Sequence, residues 1–232
     1  MVTAARYSDV ATMRGRVLGI ALCIVFVVAT RWLDDRFALG LYRLGIRPRA
    51  LDGLPGIFLS PLLHVDWAHL GANLCVLAPL ALLTSAHSPV AFWRFSGGVV
   101  VTAGAMVWLF GRAHSLHLGS STLIYAYLGH LLAQGIADPR ALSARIALLV
   151  LLAFAPLLPP LWPGSVGVSW ECHLAGLLVG LSSGVWSATG ARERWRRALF
   201  RVHRRQVLPT CGTLSGQRRE GGVQCGGVEA VS

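Results

Sequence analysis

Apolar runs of about 16 to 22 residues alternate along the chain with short clusters of Arg, Asp, Pro and Gly. The pattern predicts six helices, over about 16–33, 67–87, 90–110, 120–137, 145–163 and 167–189. Each run is near the ~20 residues that cross the hydrocarbon core of a bilayer. The expected fold class is therefore an all-α membrane protein, a six-transmembrane-helix bundle over residues 16–190, with a short N-terminal tail (1–15) and a longer C-terminal one (191–232). Pro156, Pro159, Pro160 and Pro163 sit in the outer half of the fifth run. Each deletes a helical hydrogen bond, so that end is expected to be kinked or broken, and Pro79 to bend the second run. In the C-terminal tail, Trp195, Leu199 and Val202 fall at i, i+4, i+7 among arginines, as in an interfacial turn of helix. The glycine-rich stretch from Val202 to Ser232 has no periodicity and is expected to be disordered.

Composition supports the membrane reading. Of the 232 residues 54% are hydrophobic and 13% charged, against roughly 25% charged in soluble domains. The net charge of +11 is carried by arginine, without a lysine. No recognition motif accompanies those arginines, so the expected partner is the lipid bilayer and not nucleic acid. Arg6, Arg14, Arg16, Arg94, Arg140, Arg145 and the seven arginines from Arg192 to Arg205 fall on one side of the predicted bundle. They outnumber Arg31, Arg36, Arg43, Arg47, Arg49 and Arg112 on the other, which places both termini of a multi-pass cell-membrane protein in the cytoplasm. No cleavage site stands before Arg31, so the first run reads as a retained signal anchor. The loop from Asp34 to Ser60 is apolar in patches and is expected to pack on the membrane face. The five cysteines form no C-x-x-C pair and read as small buried or incidental residues.

Polar side chains inside apolar helices are costly and point to function. The fourth run opens Leu118-Gly119-Ser120-Ser121-Thr122, followed by Tyr125 one turn below Ser121. With the termini inside, the second, fourth and sixth runs all descend from the outer surface. Ser121 and His173 then each lie 17 residues above their inner helix ends, and His69 lies 18 above its own. At 1.5 Å per residue these are heights of about 25–27 Å in a core about 30 Å thick. The short fourth run requires the loop before it to dip below the surface, which irregular backbone tolerates when it lines a water-filled cavity. His69 shares a helical face with Asn73, and Asp66 is an N-cap candidate ahead of Trp67. His173 shares its face with Gly176 and Gly180, small residues that let a neighbouring helix come close; if that helix is the fourth, the glycines pack under Ser121 and Tyr125 and the imidazole meets the hydroxyl.

A serine hydroxyl becomes a nucleophile when a base takes its proton, and neutral histidine suits that task near pH 7. The tetrahedral oxyanion needs preplaced donors, for which the Ser121 backbone N–H, the Asn73 amide and a histidine N–H are candidates. Glu171 lies about 200° around the helix from His173, so the reading is a Ser–His dyad, with Tyr125 as ring support. His114 and His117 read as solvated or cavity-lining residues, and Ser120, Cys172 and Tyr127 as packing. His64, His69 and His173 lack a tight ligand spacing such as H-E-x-x-H; no metal and no cofactor is expected.

Three segments in order resemble the rhomboid family of intramembrane serine proteases. His64-Val65-Asp66-Trp67-Ala68-His69-Leu70-Gly71-Ala72-Asn73 resembles its H-x4-H-x3-N segment, Gly119-Ser120-Ser121 with Tyr125 its G-x-S helix, and His173-Leu174-Ala175-Gly176 to Gly180 its H-x-x-G-x-x-x-G. The resemblance implies Ser121 as nucleophile, His173 as general base, an oxyanion site shared by His69 and Asn73, and His64 as a support close to it. It also implies that the substrates are transmembrane segments of other proteins, entering sideways beside the fifth helix. Two positions depart from the pattern. Thr122 stands where the family usually has glycine, and the Trp-Arg pair often found in the family's first loop is not evident, Gly56-Ile57 occupying the approach to the second helix. Thr122 motivates the alternative of a weak or inactive rhomboid-like pseudoprotease that binds membrane clients.

Overall fold

The computed structural model describes residues 2–86, 89–138, 141–164 and 167–207, with the backbone alone for 2–12, 89–90 and 191–207. The described residues are helical with no strand: α1 (Val2–Phe37), α2 (Trp67–Ser85), α3 (Pro89–Phe110), α4 (Ser121–Ala137), α5 (Ala141–Ala153) and α6 (Trp170–Val207). Every apolar run thus became a helix. Three segments, Met13–Phe37, Trp67–Ser85 and Ala91–Phe110, are long and apolar enough to cross a membrane. Ala141–Ala153 with Ala155–Leu161 adds a fourth when the bent pair counts as one span. The segment expected to be disordered, Val202 to Ser232, begins inside α6, which carries the helix on to Val207; from 208 on it lies outside the described residues, as do the side chains of Trp195, Leu199 and Val202.

The proline-rich run breaks as expected. The α5 helix ends at Ala153 and the chain turns by 66° into the short 3-10 turns Ala155–Leu157 and Pro159–Leu161. Pro156 has no N–H to continue the ladder, and its ring disfavours helical geometry at Ala155. Pro79 lies inside α2, which runs on to Ser85.

Residues up to Glu193 form one compact unit, and the described residues from Arg194 belong to a second. Within the first unit α4 occupies the centre. Ser121, Thr122, Ile124 to Leu131 and Ala133 are all buried, and Ile124, Tyr125, Tyr127, Leu128 and Leu131 form a core with Ile20, Leu80, Phe92 and Val150 from four other helices. The polarity is inverted relative to a soluble bundle. Ser120, Ser121, Thr122, His130 and His173 are buried, whereas Val25, Phe26, Leu149, Leu152 and Trp186 are more than half exposed. In lipid, apolar side chains gain nothing by leaving the surface, so helices associate through close small-residue contacts and interhelical hydrogen bonds. The Ser96–Tyr127 hydroxyl pair at 2.8 Å, joining α3 to α4, is one such bond.

Small residues decide how α6 meets α4. A Cβ on Gly176 would stand 2.2 Å from the Thr122 carbonyl oxygen, and one on Gly180 2.1 Å from that of Ala126. The contact falls one residue below the expected Ser121 and Tyr125. The glycines seat against backbone, which frees the side chains just above for each other.

The long loop between α1 and α2 is anchored without a Trp-Arg pair in sequence. Its Arg49 donates to the carbonyls of Leu109 (3.1 Å) and Gly111 (2.9 Å) at the end of α3, and the Trp108 indole donates to Ala50 O at 2.8 Å. Ile46 and His117 exchange both backbone hydrogen bonds, at 2.8 and 2.9 Å. Leu39, Leu44, Leu51 and Phe58 remain exposed on this loop.

Candidate active site

The α2 helix starts where the sequence capped it: the Asp66 carboxylate accepts from the His69 N–H at 2.7 Å. This fixes the first turn, from which His69 and Asn73 project on one face. Both reach Gly119. That residue has φ +110°, in the region glycine tolerates, and a Cβ there would lie 3.0 Å from His69 Nε2 and 3.3 Å from Asn73 Nδ2. The bare α-carbon leaves space beside the two side chains immediately ahead of Ser121. The Gly119 N–H is itself held by Ser60 O at 2.8 Å, tying the turn to the long loop.

His64 stands behind this space. Asn73 Nδ2 lies 3.0 Å from His64 Nε2, and the Ser120 N–H points at the same atom from 3.4 Å. Both neighbours are donors, so Nε2 accepts and the neutral ring carries its proton on Nδ1. That atom is turned toward the Leu62 carbonyl without forming a hydrogen bond of good geometry. Asn73 has two amide protons; one is spent on His64 and the other is free for a ligand. Across the group, Arg31 of α1 donates to the His64 carbonyl at 3.2 Å.

Burial pushes the His64 imidazole down to about 4, with the neighbouring His69 adding to the effect. A base whose pKa is lower folded than unfolded stabilises the fold fully above its unfolded value near 6.5, and that contribution is lost as pH falls from there toward 4. The thermal midpoint in detergent is accordingly expected to drop across pH 6.5 to 4, and His64→Gln to flatten that drop. A variant as steep as wild type would assign the acid sensitivity elsewhere.

His173 is oriented from two sides. Its ring stacks on that of Tyr125 at 4.2 Å and 19°, and its Nδ1 lies 3.0 Å from Pro160 O. A carbonyl only accepts, so Nδ1 carries the proton and Nε2 presents a lone pair. The Tyr125 hydroxyl donates to Leu157 O at 2.7 Å. Both acceptors come from the broken chain after α5, where carbonyls lack helical partners. The proline cluster foretold the break, but nothing in the sequence marked these two carbonyls.

Ser121 is the first residue of α4 and is 7% exposed; His173 is 8% exposed. Among the described residues no hydrogen bond joins the Ser121 hydroxyl to His173. What connects them is the helix contact just below, Gly176 on Thr122, and Tyr125, which lies one turn below Ser121 and stacks on His173. Catalytic hydrogen bonds are often long before substrate binds. Thr122 is buried and lies beside Cys172. Glu171 pairs with Arg112. His114 lies exposed, but His117 is only 1% exposed, which corrects its reading as a solvated or lining residue.

The family model described as Rhomboid domain matches residues 53–188. An uncharacterized protein of Mycobacterium bovis and one of Mycobacterium tuberculosis are each 34% identical over 173 residues, 71% of this chain and 71% of theirs. An uncharacterized protein of Mycobacterium leprae is 35% identical over 165 residues, covering 67% of this chain and 64% of its own.

Proposed function

Because this chain belongs to the rhomboid family, whose members are generally intramembrane serine proteases, we propose that it is an intramembrane serine endopeptidase cleaving transmembrane segments of other membrane proteins. In this reading all six helices span the cell membrane with both termini cytoplasmic. Ser121 Oγ attacks the scissile carbonyl while its proton passes to His173 Nε2. The oxyanion receives hydrogen bonds from the free Asn73 amide proton, a His69 ring N–H and the Ser121 backbone N–H. As the intermediate collapses, His173 returns the proton to the leaving amine, and water then hydrolyses the acyl-serine by the same route in reverse.

The observation that carries this reading is the His173 ring, held by Tyr125 and by Pro160 O with Nε2 left to accept. The Pro160 carbonyl does here what a carboxylate does in a triad: it fixes the tautomer and leaves Nε2 able to accept a proton.

Reconstituted with a single-span membrane protein as substrate, the wild type is expected to release two fragments. Gly119→Ala, which puts a methyl group between the His69 and Asn73 side chains, should lower kcat by about 10²–10³-fold, the scale of a lost oxyanion donor. Intact substrate after prolonged incubation, with client binding retained, would favour the pseudoprotease instead.

A further inference from the structure

A second Ser–His pair stands above the first. His117 Nδ1 lies 2.5 Å from Ser169 Oγ, and Nε2 lies 2.6 Å from Ser115 Oγ. The Ser115 hydroxyl donates to Arg112 O at 2.6 Å, which spends its only proton. Ser115 must therefore accept from His117 Nε2–H. Burial keeps the His117 ring below the usual histidine range and hence neutral, so Nδ1 accepts and the Ser169 hydroxyl donates to it. The ring is fixed in one tautomer between two partners, and its backbone is fixed as well by the paired bonds to Ile46.

The position of this pair gives it a consequence. His117 precedes Ser121 by four residues, and Ser169 precedes His173 by four. Just below the proposed dyad, Gly176 seats on the Thr122 carbonyl. Ser121 and His173 thus lie between two close contacts of the same chain segments, one through side chains above and one through backbone below. The Arg112–Glu171 ion pair adds a link on the same level, from the loop before α4 to the start of α6.

We propose that His117 is a positioning residue, which through Ser169 holds the start of α6 in register with the start of α4 and so sets the reach of His173 Nε2 to Ser121. It rests on the protease reading above. A displacement near 1 Å at such a site is worth about 10²-fold in rate, so the link acts on the chemical step and not on substrate capture.

The test uses the full chain in detergent and a fluorophosphonate, with labelling rates measured across probe concentration so that the maximal rate separates from half-saturation. His117→Ala and Ser169→Ala are each expected to slow the maximal rate by about ten- to a hundredfold with half-saturation and helix content unchanged. The double variant should be no slower than the slower single one, since both remove the same link. His117→Asn, which keeps an acceptor near Nδ1, should recover most of the wild-type rate. Wild-type rates in the alanine variants, losses that multiply in the double variant, or an asparagine variant as slow as alanine would overturn the inference while leaving Ser121 as nucleophile. A wild type that takes no label would overturn the protease reading itself, and this inference with it. Should His117→Ala not fold, Ser169→Ala against wild type gives the same decision.

Discussion

Ser121→Ala is expected to abolish fluorophosphonate labelling and to reduce cleavage of a helical membrane substrate by at least about 10⁴-fold, with helix content and thermal midpoint near wild type. The methyl group left behind fits the same buried space, and no described hydrogen bond of the fold depends on the Ser121 hydroxyl. His173→Ala should be comparably slow, because an alcohol without a base is unreactive. The double variant should be no worse than either single one, since nucleophile and base act as a unit. His173→Ala also frees Pro160 O and uncovers the Tyr125 ring, so its stability should fall where that of Ser121→Ala does not. Hydrolysis and circular dichroism measured on the same preparations separate the two effects.

Gly176→Ala is the second large effect. The added Cβ would meet the Thr122 carbonyl oxygen at 2.2 Å, and backbone cannot rotate aside as a side chain can. The helices must part, at an overpacking cost of about 1–3 kcal/mol. The parting occurs directly beneath Ser121 and His173, so labelling should slow by about 10²-fold even at temperatures where the fold survives. Gly180→Ala meets the Ala126 carbonyl at 2.1 Å, one turn farther down. It should lower the thermal midpoint as much while slowing labelling less. Equal rate losses at the two positions would mean that helix separation acts through stability alone.

These expectations show which parts of the molecule the chain spells out locally. The helices were legible because apolar length sets them, and the start of α2 because Asp66 has one short-range job, capping the His69 N–H. The break after α5 was legible because proline removes a donor wherever it stands. The face of α6 that meets α4 was legible to within a residue, since small residues mark close approach, but a one-residue register is set by the shapes of both helices together. His117 was misread because burial of a loop histidine depends on its backbone pairing with Ile46 and its contact with Ser169, both distant in sequence. The Pro160 and Leu157 carbonyls were invisible for another reason. Every residue has a carbonyl, and only the fold determines which ones are left without a helical partner. The loop anchor was hidden likewise: its arginine and tryptophan, Arg49 and Trp108, come from separate segments and meet only in three dimensions.

The central claim is that Ser121, and not its neighbour, carries the reactive oxygen. Ser120 is 1% exposed, with its hydroxyl 3.4 Å from His64 Nε2, and offers a serine–histidine contact of its own. Peptide mapping of the phosphonylated protein by tandem mass spectrometry distinguishes the two. The account predicts a single adduct on Ser121, lost in His173→Ala. An adduct on Ser120, or one on Ser121 that forms at the wild-type rate without His173, would contradict it.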